Sequence, residues 1–296
     1  MTASIWVGAL EQGLLYGVMV LGVYITFRVL DFPDLTVDGS FTLGGAVAAR
    51  LIYSGYSPWL ATFMGLAAGL IAGLCTGLLH TKIRIAPLLA GILMMIALYS
   101  INLRVMGGKS MLSLLRIDTV FTDIARLGIP KQLAVMALGL AFIIVICYLM
   151  FVFLQTEVGL ALRATGDNEQ MIRSLGVNTH YSKVVGLSLG NGLVGLSGAL
   201  VAQYQSFSDA GMGIGMIVVG LASVIMGEVV IGNKTLRRTL IAVVIGSIIY
   251  RIVITFVMRI GLPATDLKLF TAVLVILAMA MPIVKEKLPA GKASER

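Results

Sequence analysis

Apolar runs of about twenty residues recur from one end of this chain to the other. They fall at about 5–29, 36–54, 58–79, 86–104, 132–154, 184–203, 213–231, 239–258 and 267–284. A helix crosses the hydrocarbon of a bilayer in about 20 mostly apolar residues. Each run therefore predicts one membrane-spanning helix, and together they predict an all-α, polytopic bundle. Nine spans are counted. The second and seventh are short and interrupted by glycine, so each is expected to be a broken or re-entrant helix, and the count ranges from eight to ten. No stretch fits a soluble domain, so residues 1–296 read as one transmembrane domain.

Composition closes off the other classes. Charged residues make up 12% and hydrophobic residues 58% of the 296, with a mean hydropathy of +1.00. Ordinary soluble chains carry about 25% charge. Soluble enzymes, nucleic-acid binders and secreted disulfide scaffolds are excluded. Cys75 and Cys147 lie inside apolar runs and read as small core residues. The first run has no basic leader and no small-residue cleavage site, and is expected to be a mature span rather than a signal peptide.

The net charge of +8 is read as orientation. Arg28, Lys82, Arg84, Arg163, Arg173, Lys183, Lys234, Arg237, Arg238, Lys285, Lys287, Lys292 and Arg296 all fall on one side of a nine-span chain. Basic loops face the cytoplasm, so this side and the C-terminus are expected inside. The opposite loop at 105–131 also carries basic residues, and its Met111, Leu114 and Leu115 recur at helical spacing. That loop is expected to lie on the membrane surface.

Gly65, Gly69, Gly73 and Gly77 share one face of the third span, and Gly186, Gly190, Gly192, Gly195 and Gly198 line the sixth. Small residues at such spacing let helix backbones approach closely. Two polar, glycine-containing stretches run straight into apolar ones, DLTVDGSFTLGG at 34–45 and SDAGMGIGMIVVG at 208–220. Paired interrupted helices in the two halves of a membrane chain point to a transport pathway.

Several apparent motifs carry nothing. Gly107-Gly108-Lys109-Ser110 ends like a phosphate-binding loop, but position 103 is leucine where the motif needs glycine. His80 and His180 stand alone at span ends. The chain is expected to hold no metal or cofactor and to be no enzyme. Asp31, Asp34 and Asp38 resemble the first aspartate-rich motif of intramembrane prenyltransferases, which holds Mg²⁺ against a diphosphate. The second half offers only isolated Asp209, Glu228 and Asp266, so that alternative lacks its second half-site. An ion-coupled secondary transporter is the other alternative. It would use charges within spans, and Glu11 and Arg251 are the deep ones; whether they pair is open.

The sharpest signal is the polar stretch at 155–183. Asp167 or Asn168 is placed to cap a short helix with Glu169 in its first turn. Met171, Ile172 and Leu175 lie on one face of that helix, and Gly176 is placed as its left-handed C-terminal residue. A short amphipathic helix outside the bilayer buries its face on the membrane or in a groove of a partner.

Thr156, Gly159, Arg163, Ala164, Gly166 and Asn168, followed after seven residues by Gly176-Val177-Asn178, form a pattern that resembles the coupling loop of ABC importer permeases. The similarity is to the branched-chain amino-acid and ribose-type permeases. Asp34–Ser40 with Leu43–Ala49 resembles that family's segment after its first span. Val218–Gly220 and Met226–Glu228 resemble its late apolar segment, with Met226-Gly227 in place of a glycine pair. The wording FPDLTVDGSF at 32–41 is closest to an amino-acid subgroup, aromatic or branched.

The resemblance implies a bacterial inner-membrane permease that pairs with a second permease copy, by default identical. It implies cytoplasmic ABC ATPases gripping the coupling helix, an extracytoplasmic binding protein delivering a small-molecule substrate, and no substrate site of high affinity in the chain. Glu157, Gly159, Arg163, Ala164, Gly166, Asn168 and Gly176 are expected to serve coupling. Polar residues at membrane depth are costly unless they face protein or water. On that ground Asp38, Ser40, Thr42, Asn102, Asn191 and Gln203 are candidates for the pathway wall.

Overall fold

In a computed structural model, residues 2–126, 128, 130–261, 266, 269–273, 275 and 276 are described. Thr2–Val23 forms α1, which continues as a π-helical segment over Tyr24–Val29. Then follow α2 (Thr36–Tyr53), α3 (Pro58–Thr81), α4 (Pro87–Val105), β1 (Met111–Ser113), α5 (Val120–Ala125) and α6 (Lys131–Phe153). The second half holds α7 (Glu157–Asp167), α8 (Glu169–Ser174), α9 (Thr179–Gln205), β2 (Phe207–Asp209), α10 (Met216–Ile231) and α11 (Leu236–Arg259).

The architecture is the expected polytopic helical bundle. Six helices among the described residues are long and apolar enough to cross a membrane: α1 with its π segment, α3, α4, α6, α9 and α11. The two interrupted spans are the exceptions. α2 has 18 residues, most of them buried, and α10 has only 16. The expected ninth span at 267–284 lies largely outside the described residues, as do Lys285, Lys287, Lys292 and Arg296.

Helix starts follow local chemistry. Pro58 and Pro87 open α3 and α4, where a missing N–H costs nothing. At the end that carries α7 and α8, side chains cap the orphan amides. Thr156 accepts from Gly159 N–H, Asn168 from Met171 N–H, Asn178 from Tyr181 N–H and Thr235 from Arg238 N–H.

At the centre lies α9, against α1, α2 and α3. The contact between α3 and α9 is a zipper of backbones. A Cβ on Gly65 would sit 2.7 Å from the Ala199 methyl, and one on Gly77 2.9 Å from the Val184 Cα. Cβ atoms on Gly69 and Gly73 would run into the carbonyl oxygens of Asn191 and Leu187. The four-residue glycine period thus has the packing role expected of it. Ser188 donates to Leu70 O across the same seam (2.8 Å).

Where Met111, Leu114 and Leu115 recur, the segment starts as a strand rather than a helix. Met111–Ser113 pairs antiparallel with Phe207–Asp209, Met111 opposite Asp209 and Ser113 opposite Phe207. Burial alternates along β1, with Leu112 inside and Met111 outside. Leu114 is buried and Leu115 exposed. Alternation, not helical spacing, was the true period, and the partner strand lies about a hundred residues away where a local reading finds no signal. Gln203 closes this end: its Oε1 accepts from Val120 N–H (3.1 Å), and its Nε2 donates to Thr62 Oγ1 (2.7 Å).

Candidate functional site

Two places gather the expected residues. The first is the junction of the interrupted helices. Residues 210–215 are not helical, and Gly215 turns into α10 at φ +87°. The first amides of α10 need acceptors, and α2 supplies them. Gly215 N–H donates to Asp38 Oδ2 (2.8 Å) and Ile217 N–H to Asp38 Oδ1 (2.9 Å). Gly213 N–H donates to Thr42 Oγ1 (3.0 Å). A carboxylate at a helix N-terminus is also favoured by the helix dipole. One broken span therefore caps the other.

Beside this junction is a cavity of about 370 Å³, walled by Asp38, Gly39 and Thr42 of α2, by Met95, Ile96, Tyr99, Ser100 and Asn102 of α4, and by Ala210 and Ile214. Three of the six pathway candidates, Asp38, Thr42 and Asn102, meet here. The other three do not. Ser40 is buried within α2. Gln203 is occupied by its cap on α5. Asn191 Nδ2 donates to Asp34 Oδ2 and to Leu187 O (3.0 Å).

The three aspartates expected of a prenyltransferase turn to different tasks. Asp31 is exposed at a left-handed turn (φ +52°). Asp34 accepts from Thr36 N–H (2.9 Å) and from Asn191. Asp38 caps α10. Among the described residues no group of three His, Cys, Asp or Glu side chains is placed to hold a metal ion. Of the two deep charges, Glu11 accepts from the Tyr204 hydroxyl (3.0 Å), while Arg251 lies over the Tyr16 ring, 3.6 Å from its centre.

The second place is the stretch that the sequence singled out. It holds two helices rather than one. α7 precedes the expected short helix α8, and Asn168, not Asp167, is the cap between them (2.9 Å to Met171 N–H). Gly176 follows with φ +86°. The apolar face divides differently from the expectation: Ile172 is buried, whereas Met171 and Leu175 are 53% and 71% exposed.

The unit is clamped to the bundle. A Cβ on Gly159 would meet Phe153 O, and one on Gly166 would meet Val29 O at the end of the π segment. Leu162 is fully buried, and a Cβ on Gly186 of α9 would meet it at 2.9 Å. Glu169 accepts from Arg173 (2.8 Å), Lys183 (2.8 Å) and Thr179 (3.2 Å), and Lys183 also reaches His80 Nε2 (3.3 Å). Partial burial raises the Glu169 pKa, but the Lys183 hydrogen bond and the Lys183 and Arg173 charges outweigh it and hold the carboxyl below its ordinary value. Glu157 and Arg163 are exposed on α7, Glu157 in its first turn, and Ala164 is half-buried.

One contact was not legible in the sequence. Arg28, on the π segment, donates from Nε to Glu228 Oε1 of α10 (3.0 Å). The π segment, itself unsignalled in the sequence, thus touches α7 at Val29 and α10 at Arg28. The pair lies some two hundred positions apart, and no local pattern marks it.

The chain matches the family described as "Branched-chain amino acid transport system / permease component" over residues 5–280. It is 43% identical to the tyrosine transport system permease protein of Clostridioides difficile, across 93% of this chain and 90% of that one. It is 34% identical to the uncharacterized protein RP368 of Rickettsia prowazekii, across 94% and 97% of the two chains. The autoinducer 2 import system permease protein LsrC of Escherichia coli is more distant, at 28% identity across 66% of this chain and 56% of that one. No solved structure matches the chain. The prenyltransferase alternative gives way to this family and to the two relatives named as permeases. With residues 5–280 matched, the chain belongs to this branched-chain amino acid transport system / permease component family.

Proposed function

We propose that the chain is the membrane subunit of a binding-protein-dependent ABC importer in a bacterial inner membrane, carrying an aromatic or branched amino acid. The observation that carries this reading is the α7–α8 unit. It is a folded knob, fixed to α1 through Gly166 and to α9 through Leu162 and Glu169, that leaves Arg163, Met171 and Leu175 outward. Such a surface fits a groove on a soluble partner better than it fits water. The residues Glu157, Gly159, Arg163, Ala164, Gly166, Asn168 and Gly176 build or decorate the knob. The 43% identity to a tyrosine permease supports an amino-acid substrate.

In this reading ATP-driven closure of two cytoplasmic ATPases displaces α7 and α8 together. The glycine contact at Val29 passes the displacement to the π segment, and the Arg28–Glu228 pair passes it to α10. The far end of α10 hangs on Asp38 and Thr42, so its tilt reshapes the cavity at the α2 junction. This is a rigid-body switch between outward-open and inward-open states. A binding protein delivers substrate at the end with β1 and β2. A second copy of the chain completes the pathway, since closed twofold pairs are the commonest oligomers. The end with α7 and α8 is then cytoplasmic, and the C-terminus with it.

The test is co-purification. The tagged, detergent-solubilised chain brings an ATPase subunit with it from its source cells. Arg163→Glu and Leu175→Asp, both on exposed positions, lose it without lowering the yield of chain. A wild-type chain that purifies without any ATPase overturns the reading.

A further inference from the structure

The cavity at the α2 junction holds a polar group that the fold itself leaves unanswered. Asn102 is 1% exposed. Its Nδ2 donates to Gly39 O (3.3 Å), which fixes the amide's orientation, because the reverse would set two carbonyl oxygens face to face. Among the described residues its Oδ1 has no hydrogen-bond partner, although it is buried and the residue lines the cavity. Buried acceptors in native proteins are nearly always paired, so an exception on a cavity wall calls for a donor that comes and goes. Among the described residues Asp38 is the one charged side chain lining the cavity. Each of its oxygens accepts one backbone N–H, and an ionised carboxylate has about four acceptor sites. Acceptor capacity is thus left for an incoming donor. Thr42 and Ser100 also line it, and the larger side chains of the wall are apolar or aromatic: Met95, Ile96, Tyr99 and Ile214.

We propose that this cavity recognises the amino acid itself, with Asn102 Oδ1 and the Asp38 carboxylate taking the α-ammonium and Met95, Ile96, Tyr99 and Ile214 receiving an aromatic or branched side chain. The proposal rests on the amino-acid reading above and gives that reading a site in this chain. The chemistry is matched. A primary ammonium offers three donors, and the wall offers an amide oxygen and a carboxylate. A volume of about 370 Å³ is within the range of small-ligand sites. Carboxylate and amide groups at this depth are too costly to face lipid, so the cavity opens to protein or water. Tyr99 sits three residues before Asn102 on α4, on the same helical face, so side-chain and ammonium recognition share one rigid element.

The experiment uses the complete importer, with its ATPases and binding protein, reconstituted in vesicles. ¹⁴C-tyrosine and ³H-leucine are taken up together, and the ratio of the two is read. The binding-protein step is common to every variant, so a changed ratio belongs to the permease. Tyr99→Ala is expected to shift the ratio about tenfold or more, the scale on which apolar pockets discriminate. Asn102→Leu, which removes the acceptor, is expected to raise the KM for both amino acids while ATP hydrolysis continues, and Asn102→Asp to restore uptake. Tyr99 is half exposed, so its variant folds even if those at Asn102 do not. An unchanged ratio in Tyr99→Ala, or an equal fall for both substrates, overturns the proposal, as does wild-type KM in Asn102→Leu. A wild-type importer that takes up neither amino acid overturns the functional reading instead.

Discussion

Asp38→Ala is the substitution that probes the junction of the two interrupted helices most sharply. The Asp38 carboxylate satisfies two amides of α10, those of Gly215 and Ile217. With alanine both are orphaned. In a dry site each would cost about 1–3 kcal/mol. The cavity, however, opens beside Asp38, and water there would recover part of the loss. The lost helix cap alone is worth about 0.5–2 kcal/mol, and the lost charge at the helix N-terminus about 0.3–1 kcal/mol more. Together these bracket the expected cost at about 1–4 kcal/mol. Asp38→Asn keeps one acceptor oxygen and loses the charge, so it should fall between alanine and wild type. The assay is thermal melting of the purified permease in one detergent, with Thr42→Val as a third variant that orphans only Gly213 N–H. The expected order of melting temperature is wild type, then Thr42→Val and Asp38→Asn, then Asp38→Ala. Alanine melting with wild type would refute the capping argument, and asparagine melting below alanine would refute the assignment of its energy to hydrogen bonds.

Other predictions follow from packing and charge. Gly73→Ala forces a methyl against the α9 backbone at Leu187 O and should cost about 1–3 kcal/mol as overpacking; Gly8→Ala, whose nearest neighbour is 4.0 Å away, should melt no lower than wild type. The Arg28–Glu228 pair is half exposed on its arginine side, so Glu228→Gln should change stability by under about 1 kcal/mol yet lower uptake per ATP hydrolysed, and the swap of Arg28→Glu with Glu228→Arg should recover uptake. The lowered Glu169 pKa means that ionised Glu169 favours the docked α8. That contribution is complete above the ordinary carboxylate range and is lost as the pH falls through the lowered value; limited proteolysis of α7–α8 should therefore be flat from pH 8 to about pH 5 and rise on further acidification, with Glu169→Gln already cleaved at neutral pH.

Much of this was legible in the sequence because bilayers impose one period and one length on it. The runs at 58–79, 86–104 and 239–258 became α3, α4 and α11 with small changes at their ends. The glycine ladder Gly65 to Gly77 could be read as a contact face before its partner was known, since only backbone proximity rewards that spacing. Gly176 and Asn168 declared the ends of α8 through local backbone chemistry. What escaped was non-local. Met111–Ser113 is too short to betray a strand without Phe207–Asp209 beside it, and the apolar Met111, Leu112, Leu114 and Leu115 fit a helix as well as a strand. The Arg28–Glu228 pair and the capping of α10 by Asp38 join residues some two hundred positions apart. The sequence marked both interrupted helices as unusual, but not that each completes the other. Gln203 shows another non-local link: a polar residue at membrane depth reads as pathway, and its amide also ties α9 to α3 and α5.

In the proposed mechanism, motion of α7–α8 reaches α1 and its π segment through the backbone contact at Gly166, where a single methyl group cannot fit against Val29 O. The direct measurement is amino acid imported per ATP hydrolysed by the reconstituted importer carrying Gly166→Ala. Coupling free energies between sites are typically about 1–3 kcal/mol, or roughly 5–150-fold. The ATPases are expected still to bind and hydrolyse ATP, while import per ATP falls at least about fivefold. Import per ATP equal to wild type, with the methyl group in place, would contradict it.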